Sequence, residues 1–199
     1  MRLFLTNDWF TFPDALEPGI CEKIIRNSGK NFITPYVNRR SQITEKEILS
    51  GKVQYSYGED ALLRKGEVSW VNEKWINEIV WRYMSEANER AGWKFDISGL
   101  AIPQLSRYKK GDFYSLHTDG TGDNNSENHE GLVRKLSMSV FLNEGFTGGE
   151  FMFAGNYKPD VGGAGSIIIF PSFKEHRVCP VKTGVRYSLV VWFLGPPFK

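Results

Sequence analysis

Two of the chain's three histidines stand where a metal ion could be bound. His117 and Asp119 are separated by one residue, so on an extended strand both side chains point to the same face and can reach one ion. His176 follows a turn and begins a second candidate strand, which makes it a candidate third ligand. Two imidazoles and one carboxylate on one face leave three positions open, as iron(II) needs when it binds a co-substrate and O₂ together.

The pair at positions 117 and 119 also has an ordinary explanation. A single His-x-Asp recurs by chance, and Asp119 could simply cap a turn at the end of a strand. The pair alone favours that structural explanation, so the metal-site hypothesis depends on the residues around it.

Arg186 stands ten residues after His176 and is the one charge in a strand that is otherwise apolar on both faces. A buried arginine is rare without an anionic partner. Its planar guanidinium suits a carboxylate, which it can bind through two parallel hydrogen bonds. The alternatives are an arginine that points to solvent at a strand end, or one that pairs with an acidic side chain.

Three blocks of the C-terminal half resemble the prolyl 4-hydroxylase-like 2-oxoglutarate/Fe(II)-dependent dioxygenases. Residues 108–119 read Y-K-K-G-D-F-Y-S-L-H-T-D, which is similar to the family's Y-x-x-G-x-x-Y-x-x-H-x-D signature. Residues 136–150 resemble its next strand and G-G-E turn, and residues 165–186 resemble its closing block. The resemblance spans about residues 99 to 193.

The resemblance implies a role for each matching residue. His117, Asp119 and His176 would be the iron ligands. Arg186 stands where the family places the Lys or Arg that pairs with the distal carboxylate of 2-oxoglutarate, and Tyr108 matches a tyrosine that hydrogen-bonds the same group. The implied cofactors are iron(II), 2-oxoglutarate and O₂, with ascorbate as a further candidate.

The resemblance also places Tyr114, Arg134 and Trp192 in the cleft where a prolyl peptide binds. Each has a structural alternative, as a core aromatic residue of a strand or as an exposed arginine. One position departs from the family. Phe151 stands where prolyl hydroxylases often carry a threonine that contacts 2-oxoglutarate, which makes the wall of the pocket more apolar.

The implied reaction is hydroxylation of a substrate carbon with release of succinate and CO₂. A peptidyl proline, in a proline-containing peptide or protein, is the first candidate substrate, and a free amino acid or small metabolite is the second. A non-catalytic jelly-roll binding module is a third possibility. A decayed enzyme should have lost at least one of the ligands or Arg186, however, and all are present.

The pattern around these residues predicts one domain over residues 1–199, with a helical front (1–92) and a jelly-roll core (93–199). Helices are expected over Glu17–Arg26, near Glu45–Leu49 and over Glu73–Arg90, and a strand over Val68–Val71. Eight further strands are expected: Trp93–Asp96, Gly99–Tyr108, Tyr114–Thr118, Arg134–Leu142, Glu150–Phe153, Ser166–Phe170, His176–Val181 and Val185–Leu194. The fold class is therefore α+β, mainly β, with a double-stranded β-helix (jelly-roll) core and N-terminal supporting helices.

The polar, Gly-rich segment Gly120–Gly131 predicts a mobile loop, a candidate for closing the site, and His129 within it is expected to be solvated. Cys21 and Cys179 are expected to be small apolar residues rather than a disulfide or a metal site.

The net charge and the distribution of apolar residues indicate which classes of partner to expect. A net charge of +2 and only short basic clusters, such as Arg39-Arg40, argue against a nucleic-acid partner. No apolar stretch is long enough for a membrane span, and the N-terminus carries no signal-peptide core. The expected location is therefore cytoplasmic, while the oligomeric state is not predicted.

Overall fold

The computed structural model describes residues 7–35, 63–121 and 131–198. Helix α1 spans Pro18–Ser28 and helix α2 spans Lys74–Arg90, as predicted. Pro18 occupies the first turn of α1, where the missing N–H costs nothing, and the N–H of Gly29 closes the last turn on the carbonyl of Ile25. The predicted helix near Glu45–Leu49 lies outside the described residues.

Thirteen strands occur in the described residues. They are β1 Phe10–Phe12, β2 Arg64–Lys65, β3 Glu67–Trp70, β4 Gly99–Leu100, β5 Gln104–Tyr108, β6 Phe113–His117, β7 Val133–Phe141, β8 Thr147–Gly148, β9 Phe151–Phe153, β10 Ile167–Pro171, β11 His176–Val178, β12 Val181–Thr183 and β13 Arg186–Gly195. Six of them, β3, β6, β7, β9, β10 and β13, match strands predicted from the sequence to within one residue at each end. A short 3₁₀ turn follows β9.

The predicted strand Trp93–Asp96 is wrong. Lys94 has a φ of 50°, in the left-handed region that a strand residue cannot adopt. Side chains hold this segment instead. The indole of Trp93 donates to the carbonyl of Asn7 at 2.6 Å, and the amide side chain of Asn88 makes hydrogen bonds with the N–H and the carbonyl of Phe95.

Two predicted strands are each divided into two. Gly99–Tyr108 becomes β4 and β5, with the break at Ala101–Pro103, because proline has no N–H for a ladder. His176–Val181 ends at Val178, just before Pro180, and the chain resumes as β12, which pairs with β8 rather than with β6.

The strands form a seven-stranded sheet in the order β1-β10-β7-β13-β5-β3, with β4 beside β13, and a four-stranded sheet in the order β2-β6-β11-β9. All the pairings are antiparallel. Strand β10 shows how the layers meet. Ile167 and Ile169 pack in the core with the helices, whereas Ile168 and Phe170 face inward and pack on Phe151 and Phe153 of the smaller sheet. The site lies in this interior, and the predicted mainly β fold is confirmed.

Gly165 joins β10 to the helical layer. Its φ is +87°, and a Cβ there would collide with the backbone carbonyl of Leu16. We expect Gly165→Ala to lower the free energy of unfolding by about 2–4 kcal/mol, from backbone strain plus overpacking. Gly145→Ala is the matched control, because Gly145 also has a positive φ, +82°, but open space around it. Urea denaturation that destabilised both variants equally would contradict the steric argument.

The two cysteines are free thiols, with Cys21 buried and Cys179 partly buried. Within the described ranges, no helix is both long enough and apolar enough to cross a bilayer. The single-domain boundaries and the cytoplasmic location stay predictions. Most of the loop Gly120–Gly131, including His129, lies outside the described residues.

Candidate metal centre

The two histidines face each other because of strand register. Strands β6 and β11 are antiparallel, and His176 pairs directly with His117. Asp119 follows β6 two residues later, and its backbone N–H and that of Gly120 both donate to the carbonyl of Ser172, at 3.0 and 3.1 Å. These two bonds fix the turn that returns the carboxylate toward the rings.

The three side chains converge tightly, since all their candidate ligand atoms lie within 4.8 Å of one another. Nε2 of His117 is 3.5 Å from Oδ1 of Asp119, and Nε2 of His176 is 3.5 Å from Oδ2. In both histidines Nδ1 contacts a backbone carbonyl, that of Ser115 at 2.8 Å and that of Lys174 at 3.0 Å. A carbonyl can only accept, so Nδ1 carries a proton in both rings and Nε2 is the nitrogen directed at the shared centre.

The electrostatics favour the protonation states that a metal requires. Burial raises the pKa of Asp119, but His176 and His117 together lower it by more, so the pKa lies well below its usual range. Burial lowers the pKa of His176, against the attraction of Asp119. Oδ2 of Asp119 is buried and accepts no hydrogen bond from any described residue. An ionised carboxylate with a free lone pair, together with two Nε2 atoms that become ligands on releasing a proton, therefore fits a divalent iron ion.

Aromatic rings hold the histidines in place. Tyr114 stacks on His117 with ring centroids 3.5 Å apart, and Phe151 and Phe170 contact His176 at 5.4 and 4.7 Å. Burial raises the pKa of Tyr114 to about 12, so its hydroxyl remains protonated at neutral pH. Phe151 gives this side of the site the apolar wall that the sequence indicated.

Arg186 is buried, with 1% of its surface exposed, which excludes the solvent-facing alternative. It pairs with Tyr108 across β13 and β5, and its Nη1 donates to Ser188 Oγ at 2.9 Å. Its Nε and Nη2 have no acceptor among the described residues. Burial lowers the pKa of Arg186, partly offset by Tyr108. This leaves one edge of a planar guanidinium available for a carboxylate, the geometry that binds it through two hydrogen bonds.

Gly149, between β8 and β9, makes room for the Arg186 side chain. Gly149 has a φ of +66°, and a Cβ there would lie 2.9 Å from Cδ of Arg186. The G-G-E turn of the sequence therefore has a steric reason in this chain.

Of the three residues predicted to line the substrate cleft, Tyr114 and Arg134 contact triad residues and Trp192 packs against Arg134. The guanidinium of Arg134 sits 4.2 Å above the ring of Trp192, and its Nη1 donates to the backbone carbonyl of Asp119 at 3.0 Å. Tyr114 contacts His117, as described above. Their contact with a substrate stays a prediction.

Sequence reasoning missed the polar residues that line the interior beside Arg186. Gln104 and Ser106 are buried at alternating positions of β5, on the same face as Tyr108. Arg64 approaches them from β2, where it pairs with Tyr114. Polar residues that alternate within a buried strand are the signal that could have found the first two. Nothing local to Arg64 indicates its position.

Residues 103–194 match the 2OG-Fe(II) oxygenase superfamily. A PKHD-type hydroxylase of Shewanella oneidensis is 35% identical over 95 residues, which are 45% of this chain and 41% of that protein. One from Hyphomonas neptunium is 37% identical over 101 residues, 47% of this chain and 42% of that protein. The chain thus spans about two fifths of the length of these curated relatives.

Solved structures show the same fold over nearly the whole chain. A viral collagen prolyl hydroxylase from Paramecium Bursaria Chlorella virus-1, in complex with 2OG, has a TM-score of 0.65 at 20% identity, with 95% of this chain and 97% of that one covered. A Pseudomonas putida prolyl-4-hydroxylase has a TM-score of 0.64 at 18% identity, with 94% and 92% covered. Over the stretch that carries the candidate metal centre, the chain is therefore similar to the 2OG-Fe(II) oxygenase superfamily, and the solved structures show a prolyl hydroxylase fold, both in agreement with the resemblance noted from the residues.

Proposed function

We propose that this protein is an Fe(II)- and 2-oxoglutarate-dependent dioxygenase that hydroxylates a carbon of its substrate. One observation carries the proposal: the partly buried His117, Asp119 and His176 triad, whose ligand atoms lie within 4.8 Å of one another, faces the same interior as the open guanidinium edge of Arg186. The triad suits iron(II), and the guanidinium edge suits the distal carboxylate of 2-oxoglutarate.

The residues of this chain would bind the metal, orient the co-substrate and shield the metal from bulk water. His117, Asp119 and His176 would hold iron(II), and the bound metal supplies the O₂ chemistry that couples decarboxylation of 2-oxoglutarate to hydroxylation. Arg186 and Tyr108 would fix the far end of the co-substrate before reaction. Phe151 and Phe170 keep bulk water from one side of the metal. No acid–base residue is required.

We infer that the substrate is a peptide, and a prolyl residue is the first candidate within it. The relatives named PKHD-type hydroxylases and the prolyl hydroxylase fold support this choice. A structurally similar prolyl hydroxylase from Trichoplax adhaerens is in complex with a hypoxia inducible factor peptide fragment, at a TM-score of 0.60 and 16% identity. The Arg134 and Trp192 pair, next to Asp119, is the surface on which we expect the peptide to lie.

The test is incubation of a proline-containing peptide library with the protein, iron(II), 2-oxoglutarate and O₂, with and without ascorbate. We expect succinate formation and a mass gain of one oxygen atom on proline, read by tandem mass spectrometry. The same peptides with alanine in place of proline are the control.

Succinate formation with free amino acids but not with peptides would move the substrate to the small-molecule class. Binding of iron and 2-oxoglutarate with no succinate under any condition would favour the non-catalytic binding module.

A further inference from the structure

A second arginine lies in the interior beside Arg186 and is not used by the proposed mechanism. Arg64 begins β2 and pairs with Tyr114 of β6, and its guanidinium sits 4.6 Å above the Tyr114 ring. Its Nη2 donates to Ser106 Oγ at 3.3 Å. Its Nε is buried and has no acceptor among the described residues, and none of the carboxylates described in this structure forms an ion pair with it.

Two serines connect this arginine to the first. Ser106 of β5 and Ser188 of β13 are direct partners across the ladder. Ser188 Oγ accepts from Nη1 of Arg186, and Ser106 Oγ accepts from Nη2 of Arg64. The two guanidinium groups are therefore linked through two serine hydroxyls that are neighbours across the ladder.

Around Ser106, the buried polar groups include more hydrogen-bond donors than acceptors. Gln104 also donates to Ser106 Oγ, at 2.9 Å, so both lone pairs of that hydroxyl are used and its own proton is left for an acceptor. The indole N–H of Trp70, which pairs with Gln104 across β3 and β5, is buried and has no acceptor among the described residues. With Nε of Arg64 and the open edge of Arg186, this makes a pocket end lined by donors and positive charge.

A carboxylate corrects this imbalance, because it offers two oxygens with about four acceptor sites and one negative charge. The Arg186 edge uses one site on each oxygen, which leaves acceptor sites for a second donor. We propose that Arg64 is a second carboxylate-binding arginine of this site and that it holds the distal carboxylate of 2-oxoglutarate together with Arg186. The inference rests on the proposed function and adds a residue to it.

The test separates binding of that carboxylate from every other role of Arg64. Calorimetric titration of the Mn(II)-loaded protein is carried out with 2-oxoglutarate and with 2-oxopentanoate, which has the same metal-binding end but no distal carboxylate. We expect Arg64→Gln to weaken 2-oxoglutarate binding by about tenfold to a hundredfold, as for one charged hydrogen bond, and to leave 2-oxopentanoate binding unchanged. Arg64→Lys should lie between Arg64→Gln and the wild type, because the charge is kept.

Arg107→Gln is the matched control. Arg107 is the neighbour of Ser106 in β5 but points away from the interior, pairs with Glu67 at 2.8 Å and lies over Phe32. It should leave the binding of both acids unchanged.

Equal weakening of both acids by Arg64→Gln would mean that Arg64 only supports the fold, and unchanged binding of both would mean that it has no role in this pocket. Each of these results overturns the inference. Failure of the wild-type protein to bind 2-oxoglutarate would overturn the proposed function itself, whereas normal binding in Arg64→Gln with loss in Arg186→Leu would overturn only this inference.

Discussion

Asp119→Ala should lose iron binding and turnover together while the fold remains intact. The Asp119 carboxylate contacts both Nε2 atoms and supplies the only negative charge of the triad. Without it two neutral imidazoles remain, too few ligands for a stable divalent site. We expect iron affinity to fall by more than about 100-fold, the loss typical of removing even an outer partner of a metal ligand. The measurement is iron content after equilibrium dialysis, with succinate formation on the same samples.

Stability distinguishes loss of a ligand from loss of structure. The pKa of Asp119 lies below its usual range, so its attraction to the two histidines contributes stability at neutral pH. The metal-free Asp119→Ala protein should therefore still unfold cooperatively, at a somewhat lower denaturant concentration than the metal-free wild type. Asp112→Ala is the control, because the buried carboxylate of Asp112 accepts from the Lys109 N–H at 2.8 Å and takes no part in the triad. It should lower stability and keep the iron. Wild-type iron content in Asp119→Ala would remove the triad from the mechanism.

Arg186→Leu should raise the 2-oxoglutarate requirement strongly and leave iron binding nearly unchanged. The substitution leaves the distal carboxylate of 2-oxoglutarate buried without its hydrogen bonds to the Arg186 guanidinium. Losing one partner of a buried charge pair costs about 2–5 kcal/mol, which is roughly 30-fold to several-thousand-fold in affinity. Arg186→Lys should be milder, since the charge survives and only the two-bond geometry is lost. The measurement is a 2-oxoglutarate titration of succinate formation at saturating iron.

The matched control is Arg177→Leu, one residue beyond His176 in β11. The Arg177 guanidinium is engaged outside the site, with Asn156 Oδ1 at 2.7 Å, so its loss should leave the 2-oxoglutarate dependence as in the wild type. An unchanged dependence in Arg186→Leu would mean that the co-substrate is anchored elsewhere and that Arg186 is a structural arginine.

The sequence predicted that the three side chains come together, which the structure bears out, but for a partly different reason. Strand β6 ends at His117, so the turn fixed by the Ser172 carbonyl, rather than the period of a strand, brings Asp119 to the histidines. The sequence also predicted the long central strands Val133–Phe141 and Arg186–Gly195 to within about one residue, since each is a continuous apolar run bounded by turn residues. The second of these apolar runs begins at Arg186, which is why the sequence also indicated that Arg186 is buried.

Other parts of the fold depend on contacts far apart in the chain. The two-residue strands Arg64–Lys65 and Thr147–Gly148 are too short to show any periodicity. The segment Trp93–Asp96 has strand-like composition, but hydrogen bonds from the Trp93 and Asn88 side chains override it. From the sequence alone, Arg64 has the character of a surface residue. The pairing of β2 with β6 places it in the interior.

The direct pairing of His176 with His117 has a consequence for how this domain tolerates insertions and deletions. Adding or removing one residue between Ser172 and Glu175 would shift β11 by one position and turn the His176 ring to the opposite face of its sheet. The core built on Ile167 and Ile169 would keep its packing, so such a variant should express as a folded but metal-free protein. A change of one residue in the length of this short turn would then keep the fold and abolish the metal site. Such a change could convert an oxygenase into a non-catalytic binding protein in a single step.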